Sequence, residues 1–150
     1  MSLTDPKKKM SKSDANPNSR ILLTDDRDSI HRKIKNALTD SYPGITYDPQ
    51  TRPGVSNLLD ILGYLKEDEP KSKPKSMHEI VASFENASLR SFKLEVAQTI
   101  INALEEVRER FLHFQTDTKL LEESARRGQR QAASAAEQTL RQVKQAVGMY

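Results

Sequence analysis

The chain has 150 residues, and its 24 lysine and arginine residues outnumber its 21 aspartate and glutamate residues, which gives a formal net charge of +3 at pH 7. Hydrophobic residues make up only 35% and the mean hydropathy is −0.73, so a run of about 20 apolar residues able to cross a bilayer is excluded. Because there is no cysteine, a disulfide framework, a thiolate zinc site and a cysteine nucleophile are excluded too.

The first 24 residues predict a polar, basic loop and connector. Pro6 and Pro17 interrupt regular structure there, and serines and asparagines are frequent. Between Lys7 and Ser13 there are four lysines and no acidic residue. Like charges at this density favour an exposed, mobile segment. The four lysines are Lys7, Lys8, Lys9 and Lys12.

The rest of the chain predicts one helical domain, residues 25–150. Asp25 or Asp26 can cap a first helix, and Pro53 suits the first turn of a second. A third, short helix is predicted from the capping-box spacing of Ser76 and Glu79. The apolar positions that recur at helical spacing in these helices are Ile30, Ile34, Ala37, Leu38, Val55, Leu58, Leu59, Leu62, Leu65, Ile80, Val81 and Phe84.

Two segments between these helices predict irregular structure. Residues 66–75 carry several lysines together with Pro70 and Pro74, which predicts an exposed linker. Tyr42, Pro43 and Gly44 predict a turn. Residues 44–47 could pair locally as a strand, but no segment predicts a sheet.

Two long amphipathic helices are predicted at the end of the chain. One runs from Leu89 to about Phe114, and the other begins after Asp117 and ends where Gly148 can cap it. The apolar face of the last helix is rich in small residues, which allow a second backbone to approach closely. The two helices are therefore predicted to pack as an antiparallel pair, and the fold class is predicted as mainly α, a helical bundle.

The most specific chemistry lies in the segment Lys9–Ser13, which reads Lys-Met-Ser-Lys-Ser. Two ammonium groups on one flexible loop can close over a polyanion and stabilise phosphate oxygens as they gain negative charge in a transition state. Ser11 and Ser13 add hydroxyl donors. On composition alone, a solvated surface loop is the more frequent explanation of such a segment.

This pentapeptide is the second signature of class I aminoacyl-tRNA synthetases, and the residues around it resemble the bacterial-type tryptophanyl-tRNA synthetases. The resemblance extends over essentially the whole chain and is strongest with the fungal mitochondrial forms. It implies the mitochondrial matrix as the location, with the cytoplasm as the alternative. The matching segments are Met1–Pro6, Asp14–Pro17, Thr39–Asp40, Tyr47–Pro49, Arg52–Leu59, Phe92–Lys93, Val96–Ala97 and Val143–Gly148.

The resemblance implies an ATP-dependent ligase that attaches tryptophan to its tRNA through tryptophanyl-adenylate. Lys9 and Lys12 would then be catalytic, holding the β- and γ-phosphates of ATP. Ser11 and Ser13 would donate hydrogen bonds to ATP, and the backbone of Met10 would lie near the adenine. ATP is expected as a substrate accompanied by Mg²⁺, with no metal site on the protein itself. The three histidines are expected to be surface or packing residues: His31, His78 and His113.

In that family a Rossmann domain with the tryptophan pocket precedes the loop, and none of its features is found in these 150 residues. The resemblance therefore implies the carboxy-terminal part of the ligase, namely the loop and a helical anticodon-binding domain. ATP and tryptophan would bind only together with the Rossmann domain, and catalysis by this chain alone is not expected, because the rate comes from positioning the reactants. Full-length family members are homodimers, and no membrane partner is expected.

The last predicted helix carries a basic face that suits a phosphate backbone, which points to tRNA(Trp) as a partner. This face has five positively charged residues and one negatively charged residue, Glu137. One alternative function is a stand-alone helical RNA-binding module without catalysis, and another is a helical scaffold that binds protein through its small-residue face. The candidate tRNA-binding residues are Arg126, Arg127, Arg130, Arg141 and Lys144.

Overall fold

The computed structural model describes residues 1–67 and 76–149, and every regular element in these ranges is helical. This confirms the mainly α class, whereas the local strand pairing considered for residues 44–47 is not found in the described ranges. The predicted linker lies outside the described residues, except for the end of the second helix. The elements are a 3₁₀ turn Pro17–Ser19, α1 Arg27–Lys35, α2 Pro53–Glu67, α3 Met77–Ala82, α4 Leu89–Thr116 and α5 Thr118–Ala146.

The contacts between residues divide the chain into two compact units, Met1–Glu109 and Arg110–Tyr150. The boundary falls inside α4, a division that the sequence did not predict. Among the described helices, none is both long enough and apolar enough to cross a membrane.

The helices begin at the residues that the capping patterns predicted. The side chain of Asp26 accepts a hydrogen bond of 2.7 Å from the amide three residues later. Ser76 and Glu79 form the reciprocal capping box, with the Ser76 amide donating to the Glu79 carboxylate at 2.7 Å. Asp117 accepts from the amide three residues later at 3.0 Å and starts α5. Each bond satisfies an amide that has no partner within its own helix.

The end of α5 also follows the prediction from its glycine. Gly148 has a φ of 75°, a left-handed conformation that residues with a Cβ rarely adopt. Its amide donates to the carbonyl of Gln145 at 3.3 Å, and the next amide, of Met149, donates to the carbonyl of Lys144 at 2.8 Å. This pair of bonds is a Schellman motif, which satisfies the last carbonyls of the helix.

The first unit has one aliphatic core in which the predicted apolar stripes meet. Phe84 and Phe92 pack edge to face within it, with ring centroids 5.0 Å apart. Leu38 was predicted in this core but is 55% exposed, because α1 ends at Lys35 and Leu38 no longer follows the helical repeat. The core residues are Leu3, Ile30, Ile34, Ala37, Ile45, Val55, Leu58, Leu59, Leu62, Ile80, Phe84, Phe92, Val96, Ala97, Ile100 and Ile101.

The start of α2 lies directly against the segment that follows α1. A Cβ placed on Gly54 would lie 2.1 Å from the carbonyl oxygen of Leu38. The amide of the same Leu38 donates a 2.7 Å hydrogen bond to the carbonyl of Leu3. The segment around Leu38 is therefore held between the amino-terminal residues around Leu3 and the start of α2, and only glycine at position 54 allows this close approach.

A buried arginine ties the turn after α1 to the start of α2. Arg52 is 6% exposed, and its guanidinium donates to both carboxylate oxygens of Asp40 at 2.7 to 3.1 Å. It also donates to Thr46 Oγ1 at 2.7 Å and to the carbonyls of Tyr42 and Gly44 at 3.1 Å. The hydrogen bonds that Arg52 donates to the Asp40 carboxylate hold the pKa of that carboxyl below its usual value.

Asp40→Asn is expected to destabilise the first unit by about 3 kcal/mol at pH 7, because it leaves a buried guanidinium without its carboxylate. Since the folded-state pKa of Asp40 is lowered, the stabilisation is present above the unfolded-state pKa of about 4 and is lost as pH falls through the folded value. Urea unfolding of the wild type and the variant at pH 7 and pH 3 measures the difference between their free energies of unfolding. This difference should be smaller at pH 3.

Asp28→Asn is the matched control, because Asp28 is exposed in the first turn of α1. Its effect is expected to stay within about 0.5 kcal/mol. If Asp40→Asn unfolds at the same urea concentration as the wild type at pH 7, the pair with Arg52 does not stabilise the fold.

The second unit has no buried side chain in its described residues. α5 is exposed from Thr118 to Ala146, including its small-residue face, and a Cβ placed on Gly128 would meet no atom within 4 Å. The prediction that this face is buried in close packing is therefore wrong for the described residues. The apolar repeat indicated which face of the helix is apolar, but it carried no information on whether anything covers that face.

Candidate functional site

The loop that carries the predicted site residues is anchored at both ends. The amide of Leu3 donates to the carbonyl of Ser19 at 2.9 Å, and both residues are buried. One residue earlier, the amide of Ser2 donates to the carbonyl of Lys8 at 2.9 Å. The loop therefore projects from a fixed base on the first unit.

The lysine loop, Lys9–Ser13, is exposed along its whole length. The hydroxyls of Ser11 and Ser13 lie 3.0 Å apart, and the Ser13 amide donates to the Ser11 hydroxyl at 3.3 Å. Within the described chain neither Lys9 nor Lys12 forms an ion pair. All the predicted ATP-binding residues are thus brought together, with two ammonium groups and two hydroxyls open to solvent.

The acidic residues beside the lysine loop are engaged elsewhere. Asp5 forms an ion pair with Lys8 at 3.1 Å. Asp14 accepts from the amide of Asn16 at 2.8 Å, and its carbonyl accepts from the guanidinium of Arg20 at 2.9 Å. Neither carboxylate forms an ion pair with Lys9 or Lys12 in the described part of the chain, so both ammonium groups are open to an anion from outside the chain.

An apolar groove of about 360 Å³ adjoins the lysine loop through Met10. Its wall includes the exposed side chains of Leu22 and Leu23 from the connector and Tyr64 from α2. Sequence reasoning missed this groove, because its residues come from segments that are far apart in the chain and no local pattern links them. The site therefore has an apolar surface next to the two charged side chains of the lysine loop.

The predicted tRNA-binding residues all lie exposed on α5, in the second unit. They extend over about 27 Å along the helix, since each residue adds about 1.5 Å. The helix also contains Glu122 and Glu123, so the basic face has more acidic neighbours than Glu137 alone. Arg126 pairs with Glu122 at 3.6 Å, an exposed pair that salt screens readily.

The three histidines are not part of a metal-binding group among the described residues. His78 and His113 are exposed and His31 is half-buried. Among the described residues, no group of three His, Cys, Asp or Glu side chains could hold a metal ion.

Comparison with known proteins places this arrangement among aminoacyl-tRNA synthetases. The family described as tRNA synthetases class I (W and Y) matches residues 1–105. The tryptophan–tRNA ligase of Rickettsia conorii is 40% identical over 148 residues, and that of Clostridium perfringens is 39% identical over 149 residues. Both matches cover 99% of this chain but only 43% and 42% of the relatives.

A solved structure also matches this chain over its whole length. The crystal structure of tryptophanyl-tRNA synthetase from Mycoplasma pneumoniae superposes with a TM-score of 0.71 at 29% identity. The superposition covers all of this chain and 45% of that protein. The chain therefore spans less than half the length of the proteins it matches.

Proposed function

This chain belongs to the class I tRNA synthetases for tryptophan and tyrosine, and from that membership we propose that it is the part of a tryptophan–tRNA ligase that grips ATP and binds tRNA. The observation that carries the proposal is the pair of solvent-exposed ammonium groups, Lys9 and Lys12, on a loop with a buried base. The similarity to tryptophan–tRNA ligases over 99% of the chain supports tryptophan as the amino acid.

The proposed reaction begins with attack of the tryptophan carboxylate on the α-phosphorus of ATP. The bond to the bridging oxygen breaks, and pyrophosphate leaves with the electron pair. Negative charge grows on the leaving phosphates, where the ammonium groups of Lys9 and Lys12 stabilise it and the hydroxyls of Ser11 and Ser13 donate hydrogen bonds. A ribose hydroxyl of the tRNA then attacks the tryptophanyl carbonyl carbon of the adenylate and loses its proton as the ester bond forms, and AMP leaves as the mixed anhydride bond breaks.

This chemistry needs a surface that holds ATP and tryptophan against the lysine loop, because orientation supplies much of the rate. The described part of the chain contributes the lysine loop and the apolar groove beside it. We assign the remainder of the site to the part of the relatives that this chain does not match. The chain by itself is then a charge-supplying component of the ligase.

The isolated chain is expected to give no tryptophan-dependent exchange of pyrophosphate into ATP. Joined to the unmatched part of the Rickettsia conorii ligase, it is expected to give exchange well above that of either piece. The measurement is the incorporation of labelled pyrophosphate into ATP. Exchange by the isolated chain would contradict the dependence on a second part, and a folded fusion without exchange would contradict the proposed role of the loop.

For the tRNA step we propose that the basic face of α5 contacts phosphates. Replacing Arg126, Arg130 and Arg141 by glutamine is expected to reduce the slope of log affinity against log salt by about 3, since each phosphate contact contributes about 0.9. The measurement is the binding of a tRNA(Trp) transcript at several salt concentrations. An unchanged slope would show that this face does not bind the RNA backbone.

A matched control keeps the charge of α5 and alters only exposed amides: Gln129→Ala, Gln131→Ala and Gln138→Ala. It is expected to bind like the wild type. Preference for the tRNA with the tryptophan anticodon separates the ligase from a stand-alone RNA-binding module, which would bind other tRNAs equally. A helical scaffold would bind none of them.

A further inference from the structure

A basic cavity of about 610 Å³ lies between α1 and the start of α4 in the first unit. Four cationic side chains line it: Arg32 and Lys35 from α1, and Arg90 and Lys93 from α4. None of the described residues in its lining is acidic. It shares no lining residue with the lysine loop or with the basic face of α5.

The fold brings these charges together because each helix presents two cations at a spacing of three residues, which places them on one face. The buried side chains of Ile34 and Phe92 hold the two helices in the same core. The ammonium group of Lys93 also crosses between the helices, donating to the carbonyls of Lys35 at 3.2 Å and Ala37 at 2.8 Å. The cavity is therefore built by packing and is held by a direct bond.

Three acidic residues just before α1 or within α4 are paired with other cations. Lys33 bonds Asp25 at 2.5 Å, Lys66 bonds Glu95 at 3.3 Å, and Arg27 bonds Glu105. Within the part of the chain that the structure describes, no ion pair involves the four cations that line the cavity. Arg32 is also attracted to the nearby carboxylate of Asp26, which caps α1, so the unpaired charge of the cavity comes mainly from Lys35, Arg90 and Lys93.

The position of Lys93 adds a second argument. Burial lowers the pKa of its ammonium group, because desolvation disfavours the charged form. Its hydrogen-bond partners are neutral carbonyls rather than a carboxylate. An anion entering the cavity would supply the missing opposite charge.

The size and lining of the cavity indicate the kind of anion. Its volume exceeds that of a single phosphate, and Leu89, Leu94 and Ala97 add an apolar wall beside the cations. We propose that this cavity binds consecutive phosphates of a tRNA backbone, as an RNA contact of the first unit separate from that of α5. The inference rests on the tRNA-binding part of the proposed function and on no part of the ATP chemistry.

The test is the salt dependence of tRNA(Trp) binding by the variant Lys35→Gln/Arg90→Gln. Both residues are exposed, and the variant is expected to bind about tenfold more weakly, with a salt slope reduced by about 2. The charge-keeping variant Lys35→Arg/Arg90→Lys is expected to keep most of the affinity. Equal losses in the two variants would show a structural effect and overturn the inference.

The comparison with α5 separates this inference from the proposed function. If the arginine variants of α5 lower the slope and the cavity variant does not, the cavity inference is wrong and the proposed tRNA binding stands. If the wild type shows no salt-dependent tRNA binding, both are wrong. Far-UV circular dichroism of each variant establishes that the helices remain intact.

Chemical acetylation identifies which phosphate source occupies the cavity. Bound tRNA is expected to slow the acetylation of Lys35, and ATP or inorganic phosphate at the same ionic strength is expected not to. Equal protection by ATP or phosphate alone would assign the cavity to a small phosphate ligand and overturn the RNA assignment.

Discussion

Replacing Lys9 and Lys12 together by glutamine is expected to lower pyrophosphate exchange by the fused ligase about a thousandfold. Removing one positioned donor from a transition-state oxyanion typically reduces the rate by about a hundred- to a thousandfold. Two groups that act as a unit lose less together than the product of their single effects. The loss should fall mainly on the catalytic rate rather than on the KM for ATP, because the charge that the lysines stabilise develops in the transition state.

Lys7→Gln/Lys119→Gln is the matched control for this prediction. It removes the same net charge from two exposed residues, and neither of them belongs to the lysine loop. Its exchange rate is expected to stay close to that of the unmodified fusion. If the Lys9 and Lys12 variant retains full exchange, or if the control loses as much, specific charge stabilisation by the lysine loop is refuted.

Gly54→Ala is expected to destabilise the first unit by about 3 kcal/mol, near the upper end for overpacking. The new Cβ would lie 2.1 Å from the carbonyl oxygen of Leu38 and 3.0 Å from its carbonyl carbon. Both are backbone atoms, so no side-chain rotation relieves the contact. Because Leu38 also bonds the carbonyl of Leu3, its displacement would disturb the base of the loop.

Gly128→Ala makes the same chemical change where α5 is open to solvent, with no atom within 4 Å of the new Cβ. There it is expected to stabilise the helix by up to about 1 kcal/mol, because alanine has a higher helix propensity than glycine. Urea unfolding followed by circular dichroism at 222 nm measures both variants. If Gly54→Ala unfolds within about 0.5 kcal/mol of the wild type, the start of α2 is not held as tightly as the structure indicates.

The candidate site divides into parts that sequence reasoning could and could not reach. The lysine loop lies in five consecutive residues, so its chemistry could be recognised from residue type and order alone. The cavity between α1 and α4 could not, because its two pairs of cations are more than fifty residues apart. In the sequence, Arg32 and Lys35 look like an ordinary solvated face of a short helix.

The sequence alone determined where α1, α3 and α5 begin and where α5 ends, because the bonds that cap these helix ends join residues within about one turn of each other. Asp26, the pair Ser76 and Glu79, and Gly148 therefore acted as predicted. Only the tertiary structure decided which faces are buried and which charges share a cavity. The grouping of Arg90 with Lys35 depends on contacts between distant segments, and a helical repeat shows that a face is apolar or basic without showing what lies opposite it.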